Sequence, residues 1–428
     1  MIFKDVMLQD ICFYVKDRVS VNDITTNNYI STENLLPEKK GKVSAAKLPN
    51  AKTVINCKKG DTLISNIRPY FKKIWFCKSD GGASGDVLVI RAKSNISSSF
   101  LYYVLFQDEI FNYMVHTSKG TKMPRGDKHA LMKYPIKLPP KDYQIKLANF
   151  FSNFDRKIEL NNNIISNLEE LAKNLFKHWF IDFEFPDQDG NSYKSNGGKM
   201  IKSKLGFIPE DWEIKELGDL FGLTKGLSYQ SKFLDKVKKR TDSFPMVSLA
   251  NFDFISGFKR DKTKFYFGPF KEKHIVKPGD IVIAATDVTQ DRKILGSPAL
   301  VPDMDANIIY SLDVFKIVNN TLPNLFLYFI LQTDLYRSRV EGFATGTTVL
   351  RIKEDVISKM SIPLPQENAL IESFNKKVTP LFKKIELLEN INLKLYALRE
   401  ALLPQLLSGK IELPDNMEVD EDVPVPGS

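Results

Sequence analysis

"IELNNNIISNLEELAKNLFKHWF" (residues 158–180) and "IELLENINLKLYALREALLPQLL" (residues 385–407) begin on the same three residues and stay in register under a shift of 227 positions. Leu168 then meets Leu395, Leu171 meets Leu398 and Leu175 meets Leu402. Working outward, Phe374, Leu381, Leu388, Leu395 and Leu402 fall seven residues apart. A second row of Val378, Ile385, Ile391 and Leu398 adds the alternating three-and-four spacing of a packed helix seam. The earlier stretch repeats the pattern. Leu147, Phe154, Leu168 and Leu175 hold its row, broken at Asn161, and Phe151, Ile158, Ile164 and Leu171 flank it. One helix cannot bury such a stripe alone, so the spacing predicts that the two pack on each other. Phe154, Ile158, Ile164, Leu168, Leu171, Leu175, Leu381, Ile385, Leu388, Leu395, Leu398 and Leu402 are the expected seam. Asn161, Asn163 and Asn392 near it would fix register at some cost in stability.

The repeat continues upstream. "LYYVLFQDEIFNYMVHTSKGTKMPRGDKHALMKYPIKLPP" at 101–140 answers "LYFILQTDLYRSRVEGFATGTTVLRIKEDVISKMSIPLPQ" at 327–366, with the same Gly-Thr in the middle and the same Leu-Pro at the end. Before these, "KKGDTLIS" (58–65) matches "KPGDIVIA" (277–284), each a Gly-Asp turn feeding a β-branched run that predicts a strand. "SGDVLVIRA" (84–92) and "YSLDVFKIV" (310–318) predict another strand in each copy. "SSFLYYVLFQDEIFNYMV" and "PNLFLYFILQTDLYRSRV" then read as amphipathic helices, and a proline brake precedes each long helix. The expected class is therefore α+β: two globular α/β units joined by two long coiled-coil helices. A pseudo-twofold between the copies would run the helices antiparallel. A helix of about 30 residues spans roughly 45 Å, which at about 3.4 Å per base pair is on the order of 13 base pairs.

Composition narrows the partner. The chain has 428 residues, enough for two or three domains, with 43% hydrophobic and 26% charged residues. A formal charge of +9 favours an anionic partner such as nucleic acid. Cys12, Cys57 and Cys77 show no CxxC spacing, which argues against a disulfide framework or a zinc site and fits a reducing cytoplasm. The amino-terminal stretch lacks an apolar signal core, and no run is apolar enough to cross a membrane. Catalytic motifs are missing as well. There is no G-x-x-x-x-G-K-[ST] phosphate loop, and "LPP" at 138–140 has Leu138 where an adenine methyltransferase carries Asn or Asp. Asp187 and Asp189 near Lys194, and Asp303 with Asp305, lack the acid-x-Lys ending of a metal-dependent nuclease. His116, His129, His178 and His274 have no metal-ligand spacing. No catalytic residue, metal site or bound cofactor is expected.

With those residues in view, the chain resembles the specificity subunits of type I restriction-modification systems. The likeness rests on "GDTLIS" and "GDIVIA", the Gly-Thr loops, "LPPKDYQIKLANFFSNFDRKIELNNNIISNLEELAKNLFKHWF", "GFIPEDWEIKELGDL" and "LREALLPQLLSGKIELP", and it covers nearly the whole chain. The resemblance implies two target-recognition domains, each reading one half of a split double-stranded DNA site. It also implies two antiparallel helices that set the spacer and dock methyltransferase subunits, two of them, alongside restriction and translocase subunits. S-adenosylmethionine, ATP and Mg would belong to those partners. The corresponding partition is a first recognition domain over 1–140, a spacer helix over 141–184, a connector over 185–208, a second recognition domain over 209–365, a second spacer helix over 366–410 and an acidic tail over 411–428.

The repeat then has a reason. A scaffold that docks twice keeps its frame, whereas residues touching different half-sites change. The first Gly-Thr loop offers Lys119, Thr121, Lys122 and Arg125, and the second offers Thr345, Thr347, Thr348 and Arg351. Glycine permits close backbone approach, and Arg or Lys can reach the O6 and N7 of guanine. A second candidate surface follows the Gly-Asp strands: Asn66, Arg68, Lys72 and Lys73 in one copy, and Thr286, Gln290, Arg292 and Lys293 in the other. Some of these would grip phosphate only. "TKGLSYQSKF" adds Ser228, Tyr229 and Gln230. The stretch 185–206, rich in Gly, Ser, Asn and Lys, reads as an exposed connector. Two other readings stand beside this one. A coiled-coil adaptor without a DNA role would not explain the varied basic loops, and a self-contained restriction enzyme or methyltransferase would need catalytic motifs that are missing.

Overall fold

The structure is a computed structural model, and it describes residues 3–236, 238, 240–253, 257–288, 293–346 and 349–414. Each copy is built on a four-stranded antiparallel sheet of the same order. In the first copy the order is Cys12–Tyr14, Val87–Ala92, Thr62–Ser65, Ile74–Phe76. In the second it is Gly222–Lys225, Val314–Val318, Ile281–Ala284, Pro298–Leu300. A small antiparallel pair closes each copy, Lys4–Met7 with Pro135–Leu138 and Trp212–Glu216 with Ser361–Pro365.

The Gly-Asp motif explains itself in this setting. Gly60 and Gly279 take φ of +94° and +83°, a region that costs glycine little. The aspartate that follows accepts the backbone N–H three residues back, Lys58 for Asp61 at 2.7 Å and Lys277 for Asp280 at 2.8 Å. It also pairs across the sheet, Asp61 with the Arg91 guanidinium (2.7 and 2.8 Å) and Asp280 with Lys316 Nζ (2.8 Å). The motif is a turn clasp that starts a central strand.

The helical stretch after the sheet divides in two. In the first copy α1 (Ser98–Phe106) and α2 (Asp108–His116) meet at Gln107, whose ψ of 145° is extended, and α3 (Lys128–Met132) follows the loop. From Phe100 to Phe106 every residue of α1 is buried, so it is a core helix apolar on all sides and not the amphipathic one expected. After the proline brake comes the long helix α4 (Lys141–Phe176), continued by a π-helical turn, Lys177–Ile181. The second copy gives α5 (Asn324–Ile330), α6 (Asp334–Gly342) and the long helix α7 (Ala369–Leu407).

The chain forms two compact units, and both long helices are shared between them. Met1–Ile165 joins Leu387–Ser428 in the first unit, and Ser166–Glu386 forms the second. The first core packs α1 and α2 with Leu147 and Phe151 of α4 and with Leu403, Leu406 and Leu407 of α7. Its α4 and α7 portions are further tied by Asn161 Nδ2 donating to Asn392 Oδ1 (2.8 Å), by Asn392 Nδ2 donating to Asn162 Oδ1 (2.8 Å) and by a buried Asp155–Arg399 ion pair. Asn162, and not the expected Asn163, is the third amide. The second core packs Ala172, Phe176, Trp179 and Phe180 against α5 and against Ile371, Phe374 and Val378 of α7.

Burial along the two stripes corrects the seam at one turn. Ile158, Ile385 and Leu388 are buried, and Leu175 and Leu381 pack against the second core. Leu171 and Leu398, equivalent in the repeat, are instead 55% and 50% exposed. Their neighbours Ala172 and Arg399 turn inward. Apolar spacing could not anticipate an arginine there, because only a carboxylate from α4 makes its burial tolerable. Leu160 and Leu387, a second equivalent pair, are also exposed, at 52% and 51%.

The stretch 185–206 is folded, not a bare connector. Met200–Ser203 pairs with Gly206–Pro209, and Phe185 stacks between Tyr193 and Trp212 with centroids 4.6 and 5.7 Å away. Residues 415–428, which hold most of the expected acidic tail, lie outside the described residues.

Candidate nucleic-acid interface

In the first copy the two segments read as separate surfaces are joined, and in the second copy their described residues are joined in the same way. In the first copy the strand Thr62–Ser65 runs into Asn66–Lys73, and the Gly-Thr loop folds back onto it. Arg68 donates its backbone N–H to the Pro124 carbonyl (2.8 Å), and Gly126 donates to Asn66 (3.0 Å). Lys119 and Arg125 exchange backbone hydrogen bonds at 2.9 and 3.0 Å across the loop, whose Gly120 has φ of +93°. The second copy repeats this closure residue for residue. Thr345 and Arg351 exchange backbone bonds at 3.0 and 2.7 Å around Gly346, φ +112°, and Thr286 pairs with Arg351 as a short antiparallel bridge.

The loop side chains of the first copy face outward. Lys119, Thr121, Lys122 and Arg125 are exposed. Two of them hold carboxylates: Lys119 Nζ lies 2.8 Å from Asp127, and Arg125 Nη2 lies 3.0 Å from Asp86. Asp127 also accepts N–H bonds from His129 and Ala130 at the start of α3. The Lys119 bond and these amides push its carboxyl down to about 2. Such a carboxyl loses its anchoring role only as the pH falls below its ordinary value of about 4. A carboxyl-detected NMR titration is expected to find Asp127 well below the ordinary aspartate value, and Lys119→Ala should move it upward.

Other expected contacts are tied into the scaffold. Lys72 Nζ sits 2.7 Å from Asp108, which Lys39 also holds at 2.7 Å. Lys73 Nζ donates to the Thr32 carbonyl at 2.5 Å, and burial lowers its pKa. Asn66 is buried, and Arg68 is half-buried with φ of +50°. In the second copy Thr345 and Arg351 are exposed, but Thr286 is only 6% exposed and presents backbone, not hydroxyl. Ser228 is exposed, whereas the half-buried Tyr229 packs on Tyr266 with centroids 6.4 Å apart. Gln290, Arg292, Thr347 and Thr348 lie outside the described residues.

Apolar tips flank these loops, and charge-led reading passed over them. Tyr70 and Phe71 are 47% and 37% exposed with ring centroids 4.7 Å apart, and Met123 is 50% exposed. Val288 and Phe343, at 65% and 55%, occupy the second copy, with the Arg339 guanidinium 5.2 Å from the Phe343 ring. The signal was present in "RPYFKK", where two aromatics sit among basic residues on a turn. Among the described residues no group of three or more His, Cys, Asp or Glu could hold a metal ion, and no helix is long and apolar enough to cross a membrane.

The repeated, loop-bearing architecture matches a known family profile twice. The type I restriction modification DNA specificity domain aligns with residues 4–170 and again with residues 209–396. The chain belongs to this family. The type I restriction enzyme HindI specificity subunit of Haemophilus influenzae is 26% identical, over 96% of this chain and 99% of its own length. The MjaVIII specificity subunit of Methanocaldococcus jannaschii is 25% identical, over 79% and 76%. The crystal structure of a type I restriction-modification S subunit from M. genitalium shares the fold, with a TM-score of 0.52 at 16% identity over 95% of this chain and 96% of that one. A DNA specificity subunit confers sequence choice and is not itself the catalyst.

Proposed function

We propose that each copy reads one half of a bipartite DNA site through its paired loops, with Arg125 and Arg351 as equivalent base readers. The observation that carries this is that both arginines are locked by the same backbone exchange behind a positive-φ glycine, while the residues between the shared Gly-Thr and the arginine differ. A backbone so fixed presents a guanidinium without spending loop entropy on binding. Lys119, Lys122, Thr121, Thr345, Thr347 and Thr348 would supply the remaining base and phosphate contacts, with the exposed aromatic and apolar tips beside them. The recognition domains span 1–140 and 209–365, and the helices between and after them act as the spacer.

For the helices, the supporting observations are the pairings Asp155 with Arg399 and Asn161 with Asn392, in which one number rises as the other falls. Such pairings support an antiparallel arrangement, the one that a pseudo-twofold between the copies would produce. The equivalent exposed leucines, Leu160 with Leu387 and Leu171 with Leu398, offer the same apolar anchors twice, as two methyltransferase subunits require. S-adenosylmethionine, ATP and Mg act on those partners and on the restriction subunits, in the cytoplasm.

The test is selection from a randomised duplex library by the chain assembled with its methyltransferase subunit. Two short dissimilar elements at fixed spacing are expected. Enrichment of one continuous site, or of none despite assembly, overturns the reading. Arg351→Ala should relax one element by about 1–3 kcal/mol per lost base contact and leave the other intact, and Arg125→Ala should do the converse. Glycine variants sharpen the assignment. A Cβ on Gly346 would lie 2.2 Å from the Val349 carbonyl oxygen, whereas one on Gly120 finds its nearest atom at 3.6 Å. Gly346→Ala is therefore expected to abolish recognition of its element at an unchanged melting temperature, and Gly120→Ala to weaken its own element only partly, both read by half-site competition.

A further inference from the structure

The two copies diverge at one buried position. In the first unit the Arg399 guanidinium pairs with Asp155 and lies 4.5 Å from the Phe106 ring centroid and 5.3 Å from that of Tyr396. Under the repeat the second unit carries Ala172 for Arg399, Phe382 for Asp155, Gln332 for Phe106 and Glu169 for Tyr396. The second-unit equivalents of the residues around Arg399, namely Glu169, Gln332 and Phe382, line a recess of about 220 Å3 together with Tyr328 and Phe329.

Its chemistry suits the group it lacks. Tyr328, Phe329 and Phe382 form the aromatic wall, with Phe382 set edge-on to the other two at 6.0 and 5.8 Å. Phe382 is only half-buried, so an aromatic ring stays accessible. Glu169, Glu170 and Lys173 line the same recess, with the Glu170 carboxylate exposed. A guanidinium is planar and weakly hydrated, stacks on aromatic faces and pairs with carboxylates.

We propose that this recess receives an arginine side chain of a methyltransferase subunit, so that a partner supplies in the second unit what Arg399 supplies in the first. The proposal rests on the docking reading above and adds an asymmetry to it. The outward leucines recur in both helices, but the place that Arg399 itself occupies in the first unit is open in the second, so two identical partners are held unequally.

The test is a titration of the full chain with its methyltransferase subunit, following the two association steps separately. Glu170 is exposed on α4, and Glu170→Lys reverses its charge without touching the core. This variant should weaken the tighter step about tenfold or more at moderate salt, the size of a lost arginine anchor. Glu170→Gln should have a smaller effect. Ala397→Lys, the equivalent exposed position, should change neither step. An unchanged affinity for Glu170→Lys, or an equal loss for Ala397→Lys, overturns the anchor while the selected split DNA motif still stands. Failure of the unaltered chain to bind the methyltransferase overturns the docking reading and the anchor with it.

Discussion

Asp155→Ala is expected to destabilise the first unit by about 3–5 kcal/mol, the usual cost of stranding one member of a buried ion pair. Both partners are nearly inaccessible, Asp155 at 8% and Arg399 at 6% exposure. One carboxylate oxygen accepts from Arg399 and the other accepts from the Tyr103 hydroxyl at 2.7 Å. Alanine leaves the guanidinium without its carboxylate and the phenol without its acceptor, in surroundings that exclude water. The second unit shows the remedy, because its equivalents are apolar: Phe382, Ala172 and Phe329 stand for Asp155, Arg399 and Tyr103. Asp155→Phe with Arg399→Ala should therefore recover most of the loss. Burial pushes the Asp155 carboxyl up, against the pull of Arg399. A carboxyl raised in the folded state weakens stability as the pH climbs above the ordinary carboxylate value, so the double variant should show a flatter pH profile. Urea unfolding of both variants checks the ordering, and a single variant as stable as the parent would remove the pair from the list of determinants.

The second large effect concerns spacing. Seven residues inserted into both long helices, after Ile165 and before Leu387, add about 10.5 Å while keeping each apolar stripe on its face. At about 3.4 Å per base pair the selected spacer should grow by roughly three base pairs, with both half-sites unchanged. Library selection reads this directly. An unaltered spacer would separate helix length from the choice of site, and loss of both half-sites would mean that the insertions had disturbed the domains. The insertion points are where both helices pass from one compact unit to the other.

Much of this was legible in the sequence because it repeats. A period-seven row of leucines announces a long buried stripe whatever surrounds it, and α4 and α7 run close to the expected bounds. Gly120 and Gly346 marked the loops because few other residues hold their backbone. What escaped depends on tertiary partners. Leu171 fits the pattern as well as Leu168 does, yet Leu171 and Leu398 both face outward while their neighbours Ala172 and Arg399 turn inward, and the burial of Arg399 depends on Asp155 from the other helix. The partners of Lys72 and Lys73, Asp108 and the Thr32 carbonyl, could not be read from the sequence because they lie far away in the chain. The zipper between the two loops was hidden for the same reason, since backbone bonds such as Arg68 to Pro124 leave no trace in side-chain identity.

The division of the helices also sets an order of events on the ribosome. The second unit is one continuous run, Ser166–Glu386, and all of it has been synthesised before Leu387 is added. The first unit is begun earliest and finished last. Its core lacks Leu403, Leu406 and Leu407, and the Tyr143 hydroxyl lacks the Leu413 N–H it accepts at 2.9 Å, until the carboxyl-terminal stretch emerges. A chain stopped just before Leu387 would hold every residue of the first pair of loops and none of the part of α7 that closes the core beneath them, so that core stays open until translation has passed Leu407.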